Sequence, residues 1–159
     1  MFQLIVMILF VSGFTVAQEK QLLCRSDDLD IFYSSCSPGT STFFFTVKPC
    51  SLKVSVWMGF MFWIPKFDIT VLTSYTSLWY GGVNSLKWKS VICKGVDDGY
   101  SFCGALKGET INTTVRISGA QPTYDQGEYT FVFKAFSGYY KDLALCMNYT
   151  FIIKEKLYG

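Results

Sequence analysis

Thr110-Ile111-Asn112-Thr113-Thr114-Val115-Arg116-Ile117-Ser118 is the stretch whose reading sets the fold class. Ile111, Thr113, Val115 and Ile117 fall on one side of an extended chain. Thr110, Asn112, Thr114, Arg116 and Ser118 fall on the other. A period of two marks a strand with one face in a core and one in water. The pattern recurs downstream. Glu128 to Phe136 sets Tyr129, Phe131, Phe133 and Ala135 against Thr130 and Lys134, and Leu145 to Ile153 sets Leu145, Met147, Tyr149, Phe151 and Ile153 against Asn148 and Thr150. Upstream, Phe43, Phe45 and Val47 alternate with Thr46 and Lys48. Further strands are expected over Leu29 to Tyr33, Leu52 to Phe62, Asp68 to Leu78 and Leu86 to Ile92. Turn signals separate them: Ser37-Pro38-Gly39, Pro65, Gly81-Gly82, Asp97-Asp98-Gly99, Gln121-Pro122 and Gln126-Gly127. No stretch carries a 3.6-residue period. About eight short strands in one chain of 159 residues predict a single antiparallel two-sheet sandwich of immunoglobulin-like size.

Around this core the chain carries marks of export. Residues Met1 to Ala17 contain no charged side chain, with an apolar run from Leu4 to Val11. Small residues at Thr15-Val16-Ala17 precede the abruptly polar Gln18-Glu19-Lys20, as at the end of a secretory signal peptide. The run is shorter than the roughly 20 residues a spanning helix needs, so the mature protein, 18–159, is expected to be secreted and free of a membrane span. Its six cysteines, Cys24, Cys36, Cys50, Cys93, Cys103 and Cys146, are an even set suited to three disulfides in that compartment. Cys93 and Cys103 are close enough to pair across a loop, but spacing alone leaves the connectivity open. Asn112-Thr113-Thr114 and Asn148-Tyr149-Thr150 are N-glycosylation sequons, both on the predicted wet faces.

Composition narrows the chemistry. The chain has no histidine, which removes the commonest general base, the usual Ser-His and Cys-His pairs and most zinc sites. A formal charge of +2 is too weak a basic bias for nucleic acid. Asp27, Asp28, Asp30 and the Asp97-Asp98 pair lack the spacing of a calcium loop and read as solvated turn residues. No catalytic constellation, metal site or cofactor is expected, and an enzyme is the least favoured class.

What remains is a surplus of rings: 15 Phe, 10 Tyr and 4 Trp. Rings opposed across a sandwich core about 10 Å thick either pack solidly or hold the sheets apart around an apolar cavity. Some of Phe44, Trp57, Phe62, Trp63, Trp79 and Trp88 are expected at the surface under any alternation.

The block Val91-Ile92-Cys93-Lys94-Gly95-Val96-Asp97-Asp98-Gly99-Tyr100-Ser101-Phe102-Cys103-Gly104-Ala105-Leu106-Lys107-Gly108-Glu109-Thr110-Ile111-Asn112-Thr113-Thr114 carries a specific resemblance. It resembles the myeloid differentiation factor 2 family, the secreted lipopolysaccharide-binding co-receptors of Toll-like receptor 4, within the lipid-recognition (ML) domain proteins. Pro49-Cys50, Ile64-Pro65-Lys66, Asp68 and Ala135-Phe136-Ser137-Gly138 also fit, and the likeness is weak over Val71 to Trp88.

The resemblance implies a two-sheet cup holding acyl chains of lipid A, closed by bridges Cys24–Cys50, Cys36–Cys146 and Cys93–Cys103. It implies a lipid-facing set of Ile31, Phe43, Phe45 and Leu78 from the first half of the chain. Phe102, Ile117, Tyr129 and Phe133 follow, then Leu145, Tyr149 and Phe151. Lys94 would meet the head group, and Tyr124 would sense agonist and touch a second receptor. Receptor contacts would come from Lys66, Asp97, Asp98, Tyr100, Ser101, Lys107, Gly108 and Glu109.

Phe131 stands where the family has an unpaired cysteine. Lys94 and Lys89 are what is left of a basic rim, whose matched positions here carry Trp88, Ala120, Thr123, Gln126 and Thr130, and Gly119 and Pro122 replace apolar residues at the mouth. The expected function is a lipid-binding co-receptor with reduced head-group recognition. The alternatives are a carrier of the Niemann-Pick type C2 sterol kind, a co-receptor of a different Toll-like homologue, and a ligand-free adhesion module with a filled core.

Overall fold

A computed structural model describes residues 19–37, 42–118 and 124–154. The leader, the Pro38-Gly39 turn and the rim positions Gly119, Ala120, Pro122 and Thr123 lie outside these residues. Nine strands run in chain order: β1 Gln21–Arg25, β2 Leu29–Ser35, β3 Thr42–Lys48, β4 Val56–Ile64, β5 Leu72–Tyr80, β6 Val83–Cys93, β7 Ile111–Ser118, β8 Gly127–Ser137 and β9 Asp142–Ile153. Among the described residues there is no helix. The strands form a six-stranded sheet ordered β1-β2-β9-β8-β5-β6 and a three-stranded sheet ordered β3-β4-β7, antiparallel throughout. The two-sheet, all-β expectation is met.

The alternation that predicts β7 also sets its register. Ile111 lies opposite Trp63, Val115 opposite Gly59 and Ile117 opposite Trp57, so inward residues meet inward residues. Gly81 and Gly82 form a two-residue connection between β5 and β6, and both hold positive φ, the primed-turn geometry that matches strand twist. Disulfides Cys24–Cys50, Cys36–Cys146 and Cys93–Cys103 span Cα separations of 6.0, 5.1 and 5.5 Å. These are the pairs that the resemblance implies.

Two expectations are corrected. β1 was not foreseen, and Leu52 to Val54 is no strand. That segment forms a turn instead, held where Trp57 Nε1 donates to the Ser51 carbonyl at 2.8 Å. Asp28 and Asp30 are not solvated: both are buried, Asp28 to 4% exposure. Asp28 accepts from Ser26 Oγ (2.8 Å), Ser51 Oγ (2.9 Å) and the Leu52 N–H (2.8 Å), tying the β1–β2 turn of the large sheet to the β3–β4 connection of the small one. Burial would raise its pKa, but these donors outweigh it and hold the carboxyl below its ordinary value. Asp30 is held low first by the Lys154 ammonium at 2.8 Å, against the opposing effect of burial, with Arg25 at 3.2 Å adding to it.

Candidate functional site

The inner faces of the sheets meet in two apolar clusters. One gathers Leu29, Ile31, Val47, Tyr129 and Ile153, with Leu78, Phe131 and Phe151 packed against them. The other gathers Met61, Trp63, Leu72, Ile111, Leu145 and Met147, with Phe43, Phe133 and Tyr149 around them. Phe45 touches both.

The second cluster encloses a cavity of about 230 Å³ with walls almost wholly of carbon. The small sheet supplies Phe43, Phe45, Met61, Trp63 and Val115, and the large sheet supplies Leu72, Ile92, Phe133, Ala135, Leu145 and Tyr149. Tyr100 and Phe102 close it from the loop after β6, stacked at 5.3 Å. Phe43 stands edge-on to Trp63 at 6.0 Å. Burial pushes the Tyr149 hydroxyl far above the usual phenol range, with Tyr33 adding to it, so the wall is uncharged at neutral pH.

One side of the sandwich is open. β1 and β3 approach across the sheets, and β6 and β7 are the edge strands at the far side of each sheet. Leu86 and Trp88 share the inward face of β6, in register with Leu78 and Thr76. They are nonetheless exposed, as is Ile117 on β7, each on an edge strand of its sheet. The apolar interior thus reaches solvent along these two edges.

Among the lipid-facing residues the sequence singles out, Phe43, Phe45, Phe102, Phe133, Leu145 and Tyr149 line the cavity. Ile31, Leu78, Tyr129, Phe151 and Tyr124 pack in the other cluster, Ile117 sits at the open edge, and Lys94 is exposed at the end of β6. Tyr124 lies edge-on to Tyr129 at 5.4 Å, which in turn stacks on Tyr80 at 4.5 Å. Met61, Trp63, Leu72 and Ile92 were not anticipated as lining, nor was Tyr100, which was expected at the receptor. Trp63 carried a signal in its register with Phe43, but Leu72 and Ile92 sit at a bulge that breaks the alternation. Of the rings expected at the surface, Phe44, Trp79 and Trp88 are exposed and Trp63 is buried. Lys89 is not a rim residue: it lies opposite Tyr75 on the outer face of the large sheet, its Nζ 5.7 Å from that ring.

The loop between β6 and β7 is braced from within. Asp98 accepts from the N–H groups of Lys94 (2.6 Å) and Gly95 (3.1 Å), and Glu109 accepts from Leu106 N–H at 2.9 Å. Asp68 accepts from Lys107 N–H at 2.8 Å, Gly108 N–H reaches the Pro65 carbonyl at 2.9 Å, and Ser101 meets Thr113 at 3.1 Å. Asp98 and Glu109 therefore shape the loop. Its outward surface includes Asp97 and Lys107, with two apolar residues the sequence reading passed over, Leu106 and Val96, the latter 74% exposed. Lys66 lies on the adjoining β4–β5 connection, and Tyr100, expected at the receptor, is exposed on one side and lines the cavity on the other. The sequons differ: Asn112 is exposed, whereas Asn148 is half-buried and its Thr150 is only 3% exposed.

Two facing antiparallel sheets around a carbon-lined cavity define the class, the β-sandwich of lipid-recognition proteins. No family model matches the chain. It is 37% identical over 145 residues to human lymphocyte antigen 96, covering 91% of each chain, and 34% identical over 145 residues to the bovine counterpart, again 91% of each. Human lymphocyte antigen 86 is 29% identical over 135 residues, 84% of this chain and 82% of that one. The chain belongs to the lymphocyte antigen 96 family. Among solved structures, chicken MD-1 complexed with lipid IVa superposes with a TM-score of 0.75 at 21% identity, covering 86% of this chain and 98% of that one. A Niemann-Pick type C2 protein from the Japanese carpenter ant gives 0.53 at 15% identity, covering 74% and 96%.

Proposed function

We propose that the chain is a secreted, non-enzymatic co-receptor. It encloses acyl chains of lipopolysaccharide, or of its lipid A part, and presents the filled cup to the ectodomain of Toll-like receptor 4. The observation that carries this reading is the carbon-lined cavity between the two sheets, in a member of the lymphocyte antigen 96 family. Acyl burial yields about 0.8 kcal/mol per methylene, so one twelve-carbon chain supplies about 10 kcal/mol before losses. At about 230 Å³ the cavity is smaller than the roughly 300–1,000 Å³ of small-ligand pockets. Entry of a lipid therefore parts the sheets and turns the half-buried rings of Phe43, Phe45 and Phe133. The lipid IVa in chicken MD-1 supports an acylated guest.

In this reading residues 1–17 are removed, and Asn112 and Asn148 carry glycans. The outer surface of the 94–109 loop, with Lys66, meets the receptor. Tyr124 responds to the guest at the mouth. Lys94 is the described remnant of the basic rim, so head-group phosphates contribute less than acyl chains do.

The test is secretion with the receptor ectodomain, affinity capture, and mass spectrometry of the extracted guest. Capture with acylated lipid, lost on Val96→Asp with Leu106→Asp while the fold and the lipid guest persist, supports the reading. No capture ends the receptor half. Capture by a different Toll-like homologue shifts the assignment to the role suggested by the likeness to lymphocyte antigen 86. The Niemann-Pick type C2 fold likeness favours a second reading, a sterol carrier. A guest found to be sterol alone, with no receptor, selects it.

A further inference from the structure

The outer face of the three-stranded sheet carries more carbon than a solvent face requires. Phe44 is 47% exposed and Phe60 41%, Met58 is exposed, and Phe62 is half-buried. The registers place Phe44, Phe62 and Asn112 in one row across β3, β4 and β7. Thr46, Phe60 and Thr114 form the next row, and Lys48, Met58 and Arg116 the third. An apolar file thus runs down the middle strand, with Phe44 beside it and polar residues on both flanks. Lys48 partly shields one ring, its Nζ 5.9 Å from the centre of Phe60. A contiguous apolar patch rimmed by polar residues marks a surface that something covers.

The row that contains Phe62 also contains Asn112, the acceptor of an exposed Asn-Thr-Thr sequon. Residues directly opposite in an antiparallel pair have Cβ atoms about 4.5–5.5 Å apart. Thr114, which completes the sequon, faces the same way beside Phe60.

We propose that this apolar face is covered by the chain's own N-linked glycan. The two proximal N-acetylglucosamine units on Asn112 Nδ2 lie over Phe62 and extend across Phe60 or Phe44. The C–H face of each pyranose ring meets the electron-rich face of an aromatic ring, while its hydroxyl edges stay in water. This rests on the glycosylation reading of Asn112 above and adds what the sugar does. Asn148 provides the contrast: it sits on the other sheet between Ser34 and Val132, with no file of exposed rings beside it.

The experiment uses the full chain secreted from eukaryotic cells. Glycopeptide mass spectrometry establishes occupancy at Asn112. The folded protein is then deglycosylated, and Asn112→Gln, Thr114→Ala and Asn148→Gln are compared by light scattering and by binding of a hydrophobic dye. Enzymatic deglycosylation after folding keeps the test valid should the variants fail to be secreted. Losing the Asn112 sugar raises dye binding and self-association severalfold. The rise disappears in Asn112→Gln carrying Phe44→Thr and Phe60→Thr, a comparison in which dye taken up by the inner cavity cancels. Asn148→Gln shows no rise. An unoccupied Asn112 overturns both the glycosylation reading and this one. An occupied Asn112 whose loss leaves the dye signal unchanged overturns only the covering role.

Discussion

The two halves of the interior are built from the same strands and behave as different materials. On β8, Tyr129 and Phe131 belong to one cluster, and Phe133 and Ala135 to the other. On β9, Phe151 and Ile153 oppose Leu145, Met147 and Tyr149 in the same way. The Leu29 end is tied down at its rim. Cys24–Cys50 bridges it, Asp28 gathers three donors, and Lys154 donates to Asp30 and to the Ser26 carbonyl at 2.7 Å. At the Phe133 end, half-buried Phe43, Phe45, Phe133 and Tyr149 stand with buried Trp63 and Phe102 around unfilled space. Missing contacts around that space leave its rings room to move, and under the proposed function a guest would fill it.

Truncation on each side is the strongest test of that contrast. Leu29→Ala removes a fully buried side chain from the tied end and is expected to cost about 2–5 kcal/mol, a deficit against the unaltered protein that lipid leaves unchanged because it stabilises both alike. Phe133→Ala enlarges a cavity that already exists, so its cost in the empty protein falls below the Leu29 variant's, and acylated lipid recovers much of it by mass action. Chemical denaturation with and without lipid reads both. Equal losses, or a Leu29→Ala deficit that lipid narrows as much as that of Phe133→Ala, would erase the distinction between the halves.

Gly59 sits where the halves meet. A Cβ built there would stand 2.5 Å from Cζ and 2.7 Å from Cε2 of Phe45, the ring that belongs to both clusters. Gly59→Ala must therefore swing that ring, and the free space lies toward the cavity. The expected cost is about 1–3 kcal/mol, as for overpacking, together with weaker acyl binding. Pairing it with Phe45→Leu should restore stability. A Gly59→Ala protein that binds lipid normally would show that Phe45 does not gate the space.

Much of this was legible in the sequence, and the gaps have physical reasons. Alternation marked β3, β7, β8 and β9, whose apolar and polar residues take opposite faces, and turn signals bounded four more, among them β4, which is apolar on both faces. β1 escaped because five residues, Gln21-Leu22-Leu23-Cys24-Arg25, place two leucines side by side on a sheet edge and show no period. Alternation also tells which side of a sheet a residue takes, but not how far along the sandwich it lies. Hence Ile31, Tyr129 and Phe151 face inward as expected yet pack in the tied cluster, while Met61 and Trp63 line the cavity. The burial of Asp28 depends on Ser51 and Leu52, and that of Asp30 on Lys154, partners that local composition cannot supply. The loop from Cys93 to Glu109 was recognised as a block, but its division into inward caps and outward contacts depends on backbone N–H directions.

Acid should loosen the tied end before the cavity end, and this is the smallest of the expected effects. Asp28 and Asp30 both have carboxyl pKa values below the ordinary 3.8 in the folded protein. The folded state thus prefers their charged forms, and the stabilisation is complete above about pH 5. It fades as pH falls below the ordinary value and through the depressed folded one. With no histidine in the chain, no side chain with an ordinary pKa near neutrality adds a step between pH 6 and 8. Asp28→Asn keeps the shape and one acceptor oxygen, so it is expected to cost about 1 kcal/mol at pH 7 and to flatten the acid limb. Hydrogen exchange at pH 3.5 should show opening first at Ser26, Leu29 and Leu52, with the cavity wall at Leu145 and Met147 still protected. If the cavity wall opened first, the difference between the halves would lie in the bridges and apolar packing rather than in these carboxylates.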